Sequence, residues 1–153
     1  MTTSIPIPLP EVSVVSSLVE KEGLKIKCFI SEELHHLDHL TNLNEISSSG
    51  KSFEDLKKYL NSSSPDILFL QEIKTEENNY PFEDLINLGY KSYVHGQKSY
   101  NGVSILSKKK LNEINTTLVG DKIKQSRIIS AKTKIGKFNV ELINVYIPNG
   151  NPV

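Results

Sequence analysis

Several absences narrow the reading of this 153-residue chain at once. It has one cysteine, Cys28, which excludes an internal disulfide and any multi-cysteine metal site. No apolar run approaches the roughly 18 residues a membrane helix needs. The opening Met-Thr-Thr-Ser carries no basic residues ahead of its short apolar stretch, so no secretory signal is expected and the natural compartment is cytoplasmic. There is no Gly-rich phosphate loop and no Gly-x-Ser-x-Gly elbow. No histidine follows residue 95, and Arg127 is the single arginine among 18 basic residues.

What is present suits one domain with a core of its own. Charge balances overall but is divided along the chain. Residues 1–97 hold 8 Lys against 15 acids, a net of −7, whereas residues 98–137 hold 9 Lys and Arg127 against 2 acids, a net of +8. A basic segment after an acidic one suggests a polyanion on one face, although Lys-rich surface loops produce the same pattern.

Residues 1–23 are Pro- and Ser-rich and read as an appended tail. Leu24–Ile30 alternates as a strand, and residues 31–46 have helical spacing. Ser52 with Asp55 three residues on forms a capping-box pattern, and Phe53, Leu56 and Leu60 make the buried stripe of a helix that closes at Asn61–Pro65. Asp66–Glu72 is apolar on both faces in its middle, the mark of a central strand covered on both sides. A short helix over Phe82–Leu88 ends at Gly89. Tyr90–Val94, Gly102–Leu106, Arg127–Thr133 and Phe138–Ile147 are further strands. The sum is an α/β chain with a mixed sheet.

Four constellations could carry chemistry. Glu72 leaves the central strand at its C-terminal end, where such sheets place active groups, and a carboxylate there suits Mg²⁺; it equally suits an ordinary exit from the core. His35 and His39 share a helix face with His36 beside them, but no third ligand is evident and they read as solvated residues. Gly96-Gln-Lys-Ser-Tyr-Asn-Gly102 could approach a phosphate closely, Lys98 supplying charge and Tyr100 a hydroxyl or stacking surface, or could be a tight turn. Tyr146-Ile-Pro-Asn-Gly150 delivers a phenol and an amide at a strand end.

Together Ser64-Pro-Asp-Ile-Leu-Phe-Leu-Gln-Glu-Ile-Lys74, Gly96-Gln-Lys-Ser-Tyr-Asn-Gly-Val-Ser-Ile-Leu-Ser107, Gln125-Ser-Arg-Ile-Ile129 and Val145-Tyr-Ile-Pro-Asn-Gly-Asn-Pro-Val153 resemble the exodeoxyribonuclease III and abasic-site endonuclease family of the endonuclease/exonuclease/phosphatase superfamily. The resemblance covers about residues 52–153, and residues 24–153 are taken as the domain. It implies half of a four-layer α/β sandwich and Mg²⁺- or Mn²⁺-dependent hydrolysis of DNA phosphodiesters at abasic sites or 3′ ends. It makes Glu72 the metal ligand and Tyr146 the active-site tyrosine. Arg127 and Asn149 become phosphate contacts, and Lys98 and Tyr100 part of a DNA-facing loop.

Two departures accompany it. Ile30 stands where the family places a metal-supporting Asn, and residues 31–51 do not follow the family's pattern. The pattern also continues beyond Val153, with further metal-site residues and an Asp-His pair. This implies a partner polypeptide carrying a C-terminal half, or else a remnant that binds nucleic acid or a partner without catalysis. Supplying one sheet of a two-sheet sandwich, the chain is expected to leave the Phe69 and Tyr146 faces short of cover.

Overall fold

The computed structural model describes residues 26–30, 51–135 and 138–147, with the backbone alone at 26–30, 51–52 and 138. The elements in chain order are β1 (Ile26–Ile30), α1 (Lys51–Ser63), β2 (Ile67–Gln71), α2 (Phe82–Asn87), β3 (Lys91–His95), β4 (Val103–Ser107), β5 (Asn112–Asn115), β6 (Ile128–Ile135) and β7 (Phe138–Val145). They form a four-stranded sheet, β1-β2-β4-β3, and a three-stranded sheet, β5-β6-β7. The first sheet is mixed: β1 runs parallel to β2, while β4 is antiparallel to both β2 and β3.

All five residues of β2 are buried, as apolar residues on both faces require. One face, through Leu68, Leu70 and Leu106, packs against Phe53, Leu56 and Leu60 of α1 and Leu85 of α2. The other, through Ile67, Phe69, Val103 and Ile105, packs against Ile129, Ala131 and Leu142 of the second sheet. The result is three layers: helices, sheet, sheet.

That second layer overturns one expectation. Phe69 does not lack cover but is 8% exposed, because Ile129 and Ala131 of β6 and Leu142 of β7, in a second sheet, already pack over it. The unforeseen element is β5, whose four residues are all exposed and show no burial alternation to read. Apolar surface is left instead on the outer face of β7, where Ile143 and Val145 alternate with the inward Leu142 and Asn144, and Ile147 follows.

Other expectations stand with shifted ends. Helix α1 starts at Lys51, so Ser52 lies inside its first turn, and Asp55 bonds Lys58 Nζ at 3.2 Å. The helix after Pro81 stops before Gly89, whose φ of +86° is left-handed. The tail at 1–23, the helical pattern at 31–46 with His35, His36 and His39, and Asn149 all lie outside the described residues.

Candidate active site

The strand directions collect five chain segments at one rim. The C-terminal ends of β2, β3 and β7 and the N-terminal ends of β4 and β6 all face the same way, as the registers Gln71↔Val103, His95↔Val103 and Ile128↔Val145 require. Glu72, the Gly96–Gly102 loop, Arg127 and Tyr146 therefore converge there although up to 74 residues separate them.

Glu72 takes a left-handed φ of +55°, and Lys74 one of +51°, while Ile73 between them is fully buried. The zigzag plugs the core with Ile73 and keeps both charged residues at the rim. Left-handed backbone at a non-glycine residue costs on the order of 1–3 kcal/mol and persists where surrounding structure imposes it. Here the constraint is visible: Ile73 N–H donates to Gly102 O at 3.2 Å and Lys74 N–H to Asn101 O at 3.0 Å.

Tyr146 Oη donates to Glu72 Oε1, joining the two sheets at this point. Lys74 Nζ lies 3.4 Å from Glu72 Oε2, and the Glu72 side chain is 14% exposed. Tyr146 N–H donates to Arg127 O at 2.8 Å, extending the β6–β7 ladder and setting Arg127 beside the tyrosine. Arg127 Nε is buried without a hydrogen-bond partner among the described residues. A guanidinium is a five-donor fork suited to phosphate or carboxylate, so an unused buried donor beside a carboxylate–phenol pair marks a place for an anion.

A buried polar junction lies just beneath. Asn144 Nδ2 donates to Leu70 O and Ser104 O, each at 2.9 Å, and its Oδ1 accepts from Gln71 Nε2 at 3.1 Å. Gln71 Nε2 also donates to Val145 O at 2.9 Å. Every atom of the Asn144 amide is thus spent on fixing β7 against β2 and β4, which sets the height at which Glu72 meets Tyr146. Sequence reading missed Asn144, although a polar residue in phase with the inward Val140, Leu142 and Tyr146 was a usable signal.

The Gly96–Gly102 loop is not a plain turn. Gln97 Oε1 accepts from Asn101 Nδ2 at 3.1 Å and from Ser126 N–H at 3.0 Å, Ser126 Oγ donates to Gly96 O at 2.8 Å, and Gly102 N–H donates to Ser126 O at 2.8 Å. These bonds tie the loop to the residue before Arg127. A Cβ on Gly96 would meet Thr75 O at 2.5 Å, and one on Gly102, at φ +82°, would meet Ile73 Cγ1 at 2.6 Å. Both glycines are therefore required by close approach. Lys98 and Tyr100 project from the loop, Tyr100 being 70% exposed.

The structure divides the basic segment. Lys98, Lys122, Lys124 and Arg127 lie at or beside this rim, whereas Lys108–Lys110 follow the far end of β4 at the opposite edge. Lys132 pairs with Glu113. Ile30 ends β1 in register with Gln71, and isoleucine carries no ligand atom. Among the described residues no three His, Cys, Asp or Glu side chains form a metal cluster. No helix among them is long and apolar enough to cross a membrane.

A three-layer α/β arrangement with a carboxylate and a phenol joined across two sheets at one rim defines a class. The chain belongs to the Endonuclease/Exonuclease/phosphatase family, whose sequence pattern matches residues 41–144, starting within the segment that departs from the motifs. Within that family it is 38% identical over 98 residues to exodeoxyribonuclease III of Haemophilus influenzae, a stretch covering 62% of this chain and 36% of the relative. A 3′ phosphatase, NExo, from Neisseria, bound to product DNA hairpin, superposes with a TM-score of 0.58 at 31% identity over 67% of this chain and 38% of its own. An AP endonuclease from Archaeoglobus fulgidus gives 0.58 at 30% identity over 68% and 39%. The chain thus spans between a third and two-fifths of the length of these relatives.

Proposed function

We propose that the rim built by Glu72, Tyr146 and Arg127 binds a DNA phosphodiester and takes part in its metal-dependent hydrolysis, at abasic sites or 3′ ends. The carrying observation is the Tyr146–Glu72 hydrogen bond beside the unpartnered Arg127 Nε. The donor set fits Mg²⁺ or Mn²⁺. Mg²⁺ is held by one or two carboxylates together with substrate phosphates and retained waters. A carboxylate has about four acceptor sites, enough for Tyr146, Lys74 and a cation together. Glu72 would hold the ion, which when bound supplies charge to offset that on the phosphorus oxygens.

The chain's own groups do the rest. Arg127 Nε–H donates to a non-bridging phosphate oxygen in a fixed orientation. Tyr146 holds Glu72 in place through its hydroxyl and can turn that proton to the phosphate. Lys98, Lys122 and Lys124 hold neighbouring phosphates, and Tyr100 offers a stacking face. Asn149 follows Tyr146 closely in sequence and is assigned a phosphate contact on the same reading.

On the family resemblance, the group that activates water belongs to the portion of the longer relatives that this chain does not span. The reading therefore includes a second polypeptide segment, equivalent to the remainder of the longer relatives, seated along the outer face of β7 over Ile143, Val145 and Ile147. The test is incision of an abasic duplex in Mg²⁺ by this chain mixed with the remaining C-terminal portion of the Haemophilus exodeoxyribonuclease III. Incision that disappears with Glu72→Gln supports the reading. Incision unaffected by Glu72→Gln contradicts it, and DNA binding without incision favours a binding protein without catalysis.

A further inference from the structure

A second concavity lies on the same rim. Its volume is about 240 Å³, and it is lined by His95, Thr116, Thr117, Leu118, Asp121 and Gln125, with Lys124 at its side. At about 30 Å³ per water it has room for roughly eight waters or one planar heterocycle. Strand order places it. His95 ends β3, and Thr116 follows β5; β3 and β5 lie two strand positions from β2 and β7, which carry Glu72 and Tyr146. At about 4.8 Å per strand, the cavity sits roughly 10 Å along the rim from that pair.

Its chemistry is mixed. Asp121 offers acceptors only; its Oδ1 and Oδ2 accept backbone N–H groups of Ile123 at 2.9 Å and Gln125 at 3.2 Å. These bonds, that of Ile123 foremost, hold the Asp121 carboxyl below its ordinary range, so it stays charged. Thr116, Thr117 and Gln125 both donate and accept. His95 Nδ1 donates to Ile128 O at 3.0 Å, which leaves Nε2 as an acceptor in the neutral ring. Leu118 adds an apolar wall. A phosphate, which needs donors, would meet the Asp121 charge. A nucleobase edge, which carries amino or imino donors beside ring and carbonyl acceptors, matches this set, and Lys124 can take the phosphate of the same nucleotide.

We propose that this cavity receives one unpaired base of the DNA strand whose phosphodiester lies against Glu72 and Tyr146, so that the chain prefers a strand that is single or frayed beside that phosphate. The inference rests on the rim's being a DNA site. The test is fluorescence anisotropy without divalent metal, using a single-stranded 12-mer in which each nucleotide in turn is replaced by a baseless tetrahydrofuran spacer. One spacer position should weaken binding by 5-fold or more. That dependence should vanish in the Thr117→Ala, Gln125→Ala double variant, whose substitutions leave the backbone bonds to Asn115 and Asp121 in place. Equal binding of all spacer strands, or a spacer effect that persists in the double variant, overturns the base pocket while leaving the DNA site standing. No binding of any strand overturns both.

Discussion

Asn144 shows how much of this fold is decided by one amide. Its partners are two backbone carbonyls and the Gln71 side chain, all inside the three-layer packing. Asn144→Leu keeps the volume and strands those groups without partners. Unmet buried polar groups cost about 1–3 kcal/mol each, so a loss of roughly 2–4 kcal/mol is expected from urea unfolding. A loss under 1 kcal/mol would mean that water replaces the amide. Tyr80 gives a second test. Its hydroxyl bonds Ser104 Oγ at 3.1 Å, and burial pushes its pKa up to about 12 from 10.0. The unfolded chain ionises first as pH rises, so Tyr80 contributes stability that is complete below pH 10 and is lost as pH climbs toward 12. Tyr80→Phe should flatten that part of the stability–pH curve; an unchanged curve would place the titration elsewhere.

Among the elements, the Gly96–Gly102 loop and the 116–127 connection hold most of the candidate site's cations. Gly102→Ala forces a side chain into a left-handed residue and against Ile73. A destabilisation of about 1–2 kcal/mol is expected, with weaker DNA binding as the loop shifts away from Ser126. On the proposed function, Lys122, Lys124 and Arg127 act through phosphate charge. Replacing all three by Ala should lower the slope of log affinity against log salt by about 2–3, each phosphate contact being worth 0.7–0.9. Replacing Lys108, Lys109 and Lys110, at the opposite edge, should leave it nearly unchanged. Equal effects of the two sets would contradict the division of charge that the strand directions impose. That division was invisible in the sequence, where all these lysines form one basic run. What could be read there was local: the Phe53–Leu60 stripe, the doubly covered β2, and Glu72 at its end. The Gln97–Ser126 and Asn101–Lys74 bonds span 27 to 29 residues and follow from how the loops fold back, which no periodicity records.

For the whole molecule, the expected lack of cover over Phe69 failed for a physical reason. Strands β6 and β7, each legible as a strand, do not extend the first sheet but pair in a second one whose Ile129, Ala131 and Leu142 close over Phe69, and no residue pattern records which sheet a strand joins. Two apolar clusters on either side of the first sheet should unfold together, so one cooperative thermal transition is expected. The claim on which everything else depends is that Glu72 is a metal-binding carboxylate at the DNA-facing rim. The most direct measurement is a Mn²⁺ titration followed by electron paramagnetic resonance of the free ion, with a single-stranded oligonucleotide present, on the wild-type chain and on Glu72→Gln. The account predicts at least 10-fold weaker Mn²⁺ binding in the variant, with its thermal transition retained. Equal affinity in the two proteins would contradict it.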